Sequence, residues 1–313
     1  MLNFLPARLI FFLSMLLYSI NTIFWLLPIL IFSLFKAFLP FRLTRKIFSY
    51  LVDLMASNWV LVNGVIQKIF TQTELVITGL NTLNNKEWYL VLANHQSWVD
   101  IVVLQRALHG HIPFLKFFLK KELIYVPILG LAWWALDFPF MKRYSQAFLK
   151  KNPHLRGKDL ATTRVACAKF KHTPVSVMSF IEGTRFTQAK HAKQNSPFEH
   201  LLKPKAGGIA FVLDAMGEHL TTLVDVTIHY PHGIPTFTDF LSGRVKKVCV
   251  EVYTQKITGE LSGDYFNDRA YKIYFQKWLM QFWYEKDSRL VALVKSHSLE
   301  STVLQQKIRQ ENE

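Results

Sequence analysis

The feature that most constrains this chain is a run of 27 residues without a charged side chain, from Leu9 to Phe35, flanked by Arg8 and Lys36. As an α-helix the run would be about 40 Å long, and the hydrocarbon core of a bilayer is about 30 Å thick. It is too long for the apolar part of a signal peptide, and no small-residue cleavage site follows it. We therefore predict a membrane span or, because Pro28 and Asn21 interrupt the run, a helix lying partly in the membrane interface.

The residues that follow this run indicate an orientation. Arg42, Arg45 and Lys46 come directly after it, and basic residues beside a span favour the cytoplasmic side for the rest of the chain. The next stretch, Tyr50 to Ile69, is apolar but carries four polar or acidic residues, which is typical of an amphipathic helix against a membrane or a core. Residues 1–70 are therefore predicted to form a membrane module.

The amino-acid composition indicates which kinds of molecule the protein could bind. Half of the 313 residues are hydrophobic, the mean hydropathy is +0.16, and the formal net charge is +15. This composition excludes a disordered chain, and positive hydropathy combined with positive charge indicates contact with anionic lipid or nucleic acid. Cys167 and Cys249 are too few for a disulfide framework or a four-thiolate metal site, so a reducing compartment is expected.

The rest of the chain has the sequence pattern of an α/β domain. Apolar runs with strand composition alternate with helical patterns, which predicts a mainly parallel or mixed sheet with helices on both faces. The expected catalytic domain covers residues 71–260, and residues 261–313 form an aromatic helical segment in which the aromatic side chains serve packing or interfacial anchoring. The predicted strands are 88–93, 175–181, 223–230 and 247–253, and the predicted helices are 101–108, 162–170, 209–216 and 268–295.

A histidine and an aspartate five residues apart follow the first of these strands, as His95 and Asp100. Ligands of open α/β sheets bind at the carboxyl ends of strands. Residues five apart on an α-helix are rotated by about 140°, so the two side chains can meet only if the turn before the helix bends one back to the other. Either the aspartate fixes the imidazole as a general base, or Ser97 and Asp100 form a helix cap.

The same spacing occurs a second time, between His154 and Asp159. This pair lies in a polar turn that contains proline and glycine rather than after a buried strand. We therefore assign the chemistry to His95 and give the second pair no catalytic role.

Two further segments indicate phosphate binding. Glu182-Gly183-Thr184-Arg185 follows another predicted strand, where backbone amides and a guanidinium can hold a phosphate, although a strand-end turn with a solvated ion pair would look the same. Between residues 116 and 171, twelve basic residues against three acidic ones bracket an apolar strip at 124–141. This arrangement fits a lipid with an anionic head group, read by Arg143, although a solvated basic face is the simpler alternative.

In this order, these segments resemble the glycerolipid acyltransferase family, which contains the 1-acyl-glycerol-3-phosphate acyltransferases. The resemblance covers roughly residues 88–230. It depends on the joint match of Asn94-His95-x4-Asp100, Lys120-x-Glu122-Leu123-x3-Pro127-x2-Gly130, Arg143, Glu182-Gly-Thr-Arg185 and Pro204-Lys205-x-Gly207.

The resemblance implies a membrane-bound O-acyltransferase. His95 would take the proton from an acceptor hydroxyl while Asp100 orients the imidazole, and the hydroxyl would attack the thioester of acyl-CoA or acyl carrier protein without a covalent enzyme intermediate. It also implies an acceptor site at Arg143, Glu182, Gly183, Thr184 and Arg185, with Lys205 as a further basic position. No cofactor is implied beyond the acyl donor, and no metal.

Departures from the family pattern leave the acceptor open. Ile181 stands where many bacterial members have proline, and Val224-Asp225-Val226 stands where a Val-Pro-Val block is common. These features, with Phe186-Thr187 and Lys190-His191, are similar to the branch that includes lysocardiolipin acyltransferases. The expected acceptor is 1-acyl-glycerol-3-phosphate, and the alternatives are lysocardiolipin, another lysophospholipid or a lipid A-type saccharolipid.

A non-catalytic protein that holds anionic membrane lipid is the alternative from another class. Nucleic-acid binding is not expected, because the sequence has no recognised motif and its basic residues bracket an apolar strip. Metal motifs and the nucleophile elbow of acyl-enzyme hydrolases are also missing from the sequence.

Overall fold

The computed structural model of the protein describes residues 5–39, 41–141, 167–168, 170 and 173–311. Three residues named above, Arg143, His154 and Asp159, lie outside the described residues, as does most of the predicted helix at 162–170. The predictions that concern them therefore remain untested by the structure.

The chain begins with a hairpin of two long helices, α1 (Ala7–Phe38) and α2 (Arg42–Phe70). Both are long and apolar enough to cross a membrane, with mean hydropathies of 2.0 and 1.2 over their most apolar windows. Helix α1 continues through Pro28. Asn21, the polar interruption of the apolar run, donates from Nδ2 to Asn63 Oδ1 (2.9 Å) and to the Trp59 carbonyl (3.1 Å) and so joins the two helices.

Helix α1 buries polar side chains and exposes apolar ones, the opposite of a helix in a water-soluble protein. Its buried side chains include Ser14, Asn21 and Ser33, whereas large apolar side chains such as Phe12 and Phe24 are exposed. Soluble proteins rarely leave so much apolar surface in contact with water. Small and polar residues between helices, with apolar residues outside, are typical of helix pairs in membranes.

The main sheet after the hairpin has six strands in the order β1-β8-β7-β2-β6-β3. Neighbouring strands are parallel except for β7 and β8, which are antiparallel. The strands are β1 (Glu74–Thr78), β2 (Tyr89–Ala93), β3 (Leu115–Phe117), β6 (Ser176–Phe180), β7 (Thr222–His229) and β8 (Lys247–Lys256), and a separate short pair is formed by β4 (Leu119–Lys120) and β5 (Phe140–Met141). The helices after the hairpin are α3 (Val99–Leu108), α4 (Leu129–Ala135), α5 (Gln188–Gln194), α6 (Ala206–Met216), α7 (Phe237–Leu241) and α8 (Arg269–Glu311).

Helices cover both faces of this sheet. All five residues of β2 are buried, and alternate side chains enter two different cores. Tyr89, Val91 and Ala93 pack in the core formed with α3, whereas Leu90 and Leu92 pack in the core formed with α6 and α8. The predicted fold class, a mixed α/β sheet with helices on both faces and an N-terminal helical module, is confirmed.

The hairpin packs on the same face as α3. Ile29, Val52 and Ala56 belong to the first core. Ser33 Oγ donates to the Ala135 carbonyl at 2.9 Å, and an ion pair between Lys36 and Asp137 links α1 to the residues after α4. The hairpin is therefore joined to the sheet by packing, hydrogen bonds and charge.

The C-terminal helix α8 covers the opposite face. Phe275, Leu279, Phe282 and Trp283 are buried in the second core. The aromatic side chains of Phe275, Phe282 and Trp283 therefore serve packing, one of the two roles predicted for this segment, whereas Tyr274 and Tyr284 are exposed.

Candidate active site

The His95 and Asp100 side chains meet at the carboxyl end of β2. His95 Nδ1 lies 2.9 Å from Asp100 Oδ2. The same carboxylate oxygen accepts the backbone amides of Gln96 (2.6 Å) and Ser97 (2.8 Å), and Ser97 Oγ accepts the amide of Val99. The turn before α3 thus bends the chain back, and one carboxylate oxygen binds both the imidazole and the Ser97 amide. The N-cap of α3 is Trp98, without a side-chain cap hydrogen bond, so the cap predicted at Ser97 does not form.

Asp100 is fully buried and has a further donor that the sequence analysis did not identify. The Tyr230 hydroxyl donates to Asp100 Oδ1 at 2.6 Å. Burial and the neighbouring carboxylate raise the pKa of Tyr230 well above its ordinary value, so the hydroxyl keeps its proton. Its sequence signal is its place directly after β7, the strand beside β2, since carboxyl ends of parallel strands share one edge of a sheet.

The imidazole of His95 is held in a fixed plane. Its ring stacks on Phe180, with centroids 3.8 Å apart and 12° between the planes. The His95 carbonyl accepts the Phe186 amide at 2.7 Å, and 12% of the His95 side chain stays exposed. When Nδ1–H donates to the carboxylate, Nε2 carries a lone pair that can accept a proton.

Asn94 ties this turn to the neighbouring strand. Its Nδ2 donates to the Ile228 carbonyl at 2.9 Å, and its Oδ1 accepts the Ile228 amide at 2.8 Å. The buried side-chain amide thus makes both hydrogen bonds that a buried strand residue would require.

Glu182 lies against the turn that carries His95. Its Oε1 accepts the His95 amide at 2.7 Å, its Oε2 accepts the Leu202 amide at 3.0 Å, and the residue has no exposed surface. Burial raises the pKa of Glu182 to about 8, although these amides and Lys286 act in the opposite direction. Because both oxygens bind backbone amides, the geometry supports a positioning role for Glu182 rather than contact with an acceptor.

The side chain of Lys205 passes over Gly183, the residue after Glu182. Gly183 has a φ of +68°, and an added Cβ would lie 3.0 Å from Lys205 Nζ. The Lys205 amide donates to the Ile181 carbonyl at 2.7 Å. The positive φ therefore favours glycine at position 183, and the Lys205 side chain lies directly over it.

Arg185 lies against the turn that carries His95. Its guanidinium is 4.9 Å from the centre of the exposed Trp98 ring, a cation–π contact that leaves its N–H donors available at the ring edge. Lys190 was not among the predicted site residues, yet its Nζ donates to Thr184 Oγ1 and to the Arg185 carbonyl, both at 2.8 Å. Its sequence signal is its place in the first turn of α5, just after the motif.

The structure therefore brings together the predicted site residues that it describes. These are His95, Asp100, Glu182, Gly183, Thr184, Arg185 and Lys205; Arg143 lies outside the described residues. Within the described part of the chain, no group of three or more His, Cys, Asp or Glu side chains is placed to hold a metal ion.

Curated relatives include two kinds of lipid acyltransferase. Lysocardiolipin acyltransferase 1 of Mus musculus is 26% identical over 78% of this chain and 64% of its own length. The 1-acyl-sn-glycerol-3-phosphate acyltransferase 3 of Arabidopsis thaliana is 28% identical over 56% of this chain and 48% of its own length. The chain thus spans less than two thirds of these relatives.

A solved structure was also found to be similar. The 1-acyl-sn-glycerophosphate acyltransferase PlsC of Thermotoga maritima matches 88% of this chain and 98% of its own, with a TM-score of 0.49 and 17% identity. The Acyltransferase family model matches residues 74–232, just over half of the 313 residues and the segment that carries the whole described site. The chain belongs to the Acyltransferase family.

Proposed function

We propose that the protein transfers a fatty acyl group from a thioester, acyl-CoA or acyl carrier protein, to the free hydroxyl of a lysophospholipid. The observation that carries this proposal is the buried Asp100 carboxylate bound to Nδ1 of a partly exposed imidazole, beside a turn rich in cationic side chains. A general base and an anion site next to each other are what acylation of a phosphate-bearing alcohol requires.

The reaction follows from the atoms of the His–Asp pair. Nε2 of His95 removes the proton of the acceptor hydroxyl as its oxygen attacks the thioester carbonyl carbon. Asp100 stabilises the imidazolium that forms. When the tetrahedral intermediate breaks down, the carbon–sulfur bond is cleaved and the imidazolium returns the proton to the leaving thiolate. The products are the ester and a free thiol, and no acyl-enzyme forms.

The acceptor phosphate would bind at the turn beside His95. Arg185 offers a planar set of donors suited to phosphate oxygens, Lys205 passes over Gly183, and Lys190 adds a third positive charge. We place Arg143 in the same role on the resemblance alone.

The membrane would supply the acceptor. The outward apolar surface of α1 and α2 supports insertion of the hairpin into a bilayer, and the basic residues 42–46 support a cytoplasmic catalytic domain. The 124–141 strip exposes apolar side chains such as Tyr125 and Trp134, and its helix α4 contacts α1, so an acyl chain or lipid held by the hairpin could contact this strip.

We take 1-acyl-glycerol-3-phosphate as the first acceptor to test, with lysocardiolipin as the second candidate because lysocardiolipin acyltransferases are among the relatives. Both carry phosphate and a free hydroxyl. A panel containing these two lipids, a lysophosphatidylcholine and a monoacylglycerol would separate them, and equal rates with the phosphate-free lipid would contradict the role of the cationic turn.

The test of the reaction is transfer of a labelled acyl group by purified membranes. Replacing His95 with alanine should reduce the rate by at least about 1000-fold, because the general base is lost. His154→Ala provides the matched control, since the second His-x4-Asp pair should not contribute. Full activity of His95→Ala, or loss of activity in His154→Ala alone, would overturn the assignment.

A further inference from the structure

Residues 198–205, which we call the acceptor loop, lie between the C-terminal helix α8 and the turn that carries Glu182. We propose that α8 positions this loop for acceptor binding, with Trp283 and Asp287 as positioning residues. The proposal rests on the proposed function and extends it to a helix outside the segment matched by the family model.

Asp287 binds the start of the acceptor loop with both carboxylate oxygens. Oδ2 accepts the Glu199 amide at 2.7 Å, and Oδ1 accepts the His200 amide at 3.0 Å. Asp287 is 8% exposed, and a buried carboxylate on two backbone amides forms strong hydrogen bonds that fix direction as well as distance. The first half of the loop cannot shift without breaking both.

Trp283 binds the middle of the loop. Its Nε1 donates to the Leu202 carbonyl at 2.9 Å, and the side chain is fully buried. The amide of the same Leu202 donates to Glu182, whose other oxygen holds the His95 amide. A continuous set of hydrogen bonds thus runs from α8 through the loop to the catalytic turn.

Helix α8 is itself fixed against the sheet by a buried cation. Lys286 Nζ donates to Asp225 Oδ1 (2.5 Å), to the Val226 carbonyl (2.7 Å) and to Thr227 Oγ1 (3.1 Å), and it has no exposed surface. Arg289 pairs with the other Asp225 oxygen. Because three acceptors on β7 surround one ammonium group, α8 cannot slide along its axis.

The loop ends at Lys205, whose amide donates to Ile181 and whose side chain crosses Gly183. Movement of the loop would therefore displace Lys205 from Gly183 and remove one of the cations proposed to bind the acceptor phosphate. The hydrogen bonds that Asp100 makes with His95, Gln96, Ser97 and Tyr230 involve no residue of α8. Because Lys205 belongs to the loop, whereas His95 is linked to it only through Glu182, the larger effect should fall on acceptor binding.

The experiment compares Asp287→Asn and Trp283→Phe with matched changes just before α8 and within it. Asp268→Asn alters a carboxylate that accepts only nearby amides, those of Ala270 and Tyr271, and Trp278→Phe alters a half-buried ring of the second core. We expect the positioning variants to raise the acceptor KM about ten-fold with little change in donor KM. The control variants should leave both values unchanged at a similar Tm.

The KM values and a lipid-binding measurement distinguish failure of this proposal from failure of the proposed function. An unchanged acceptor KM in both positioning variants, or equal rises in the acceptor and donor KM, would overturn the proposal. If the wild type acylates no lysophospholipid, the proposed function fails, and binding of 1-acyl-glycerol-3-phosphate micelles becomes the deciding measurement. Weaker binding together with faster hydrogen exchange at the Glu199, His200 and Leu202 amides supports the proposal, and unchanged binding overturns it.

Discussion

The carboxylate of Asp100 receives four hydrogen bonds, from one imidazole, two backbone amides and one phenol. A fully buried carboxylate needs such partners, because burying an unpaired charge is very unfavourable. The donors also determine where the two oxygens point, and so where the ring of His95 is held. Removing a single donor should therefore affect catalysis without removing any reacting atom.

Tyr230→Phe tests this effect because it deletes only the hydroxyl 2.6 Å from Asp100 Oδ1. We expect kcat to fall about ten-fold, since a hydrogen bond to a charged group contributes about 1.5–3 kcal/mol. Steady-state rates at saturating acceptor measure this. Tyr265→Phe is the control, because the Tyr265 hydroxyl accepts a hydrogen bond from Gln276 in the second core. Equal rates for the two variants would show that Tyr230 does not act through Asp100.

Glu182 should make stability depend on pH. Burial raises its pKa from 4.5 to about 8, so the folded state binds the proton more tightly than the unfolded state. The resulting stabilisation is complete below pH 4.5 and is lost as the pH rises towards 8. Glutamine cannot titrate, so Glu182→Gln lacks this pH dependence. The difference in Tm, wild type minus Glu182→Gln, should therefore decrease between pH 4.5 and about 8 and stay constant at higher pH. Parallel Tm curves would contradict the assignment.

The sequence identified the site residues better than their roles. The spacing of His95 and Asp100 after a strand left a general-base pair and a helix cap open, and only the resemblance to the family favoured the pair. The Glu182-Gly-Thr-Arg185 motif predicted a strand-end turn, but the direction of the Glu182 side chain depends on the Leu202 amide, which is distant in sequence. Tyr230 was missed because its role arises only when β7 pairs with β2.

At the level of elements, four strands were predictable because they are apolar runs with clear ends. β1 and β3 were missed because β1 is a partly exposed edge strand and β3 has only three residues. The antiparallel pairing of β8 with β7 likewise depends on the loop and α7 between them. Asp225, a departure from the family pattern, is explained by α8, which supplies Lys286 and Arg289.

The Asp225 cluster predicts unequal costs of mutation. Asp225→Asn leaves two cations facing a neutral side chain and should destabilise the protein by about 3–5 kcal/mol. Lys286→Met should cost less, because Asp225 keeps Arg289. Thermal unfolding in detergent measures both. The exposed Arg244–Asp239 pair supplies the control, since Arg244→Gln should cost less than about 1 kcal/mol. A smaller loss for Asp225→Asn than for Lys286→Met would be inconsistent with this cluster.

At the scale of the whole molecule, the sheet separates two hydrophobic cores, one packed against the hairpin and the other against α8. The first core continues into the hairpin through Ile29, Val52 and Ala56, and the second is closed by α8. The hairpin and the site therefore belong to one packed unit, with the His–Asp turn at the edge of the sheet. The uneven distribution of hydrophobicity and charge in the sequence predicted this division into an apolar module and a cationic site.

The exposed apolar surface of α1 predicts that apolar contact, rather than charge, would hold the protein on a membrane. If apolar contact dominates, about 1 M salt should not release the protein from vesicles, although charge attraction is then screened beyond about 3 Å. Phe24→Lys with Leu27→Lys should weaken retention, because each lysine costs about 3 kcal/mol at the centre of a span and both side chains are at least 60% exposed. Gln281→Lys with Ser288→Lys adds the same charge to exposed positions of α8 and should leave flotation with vesicles unchanged. Release of the wild type by salt alone would show that its positive charge, and not the hairpin, holds the protein on the membrane.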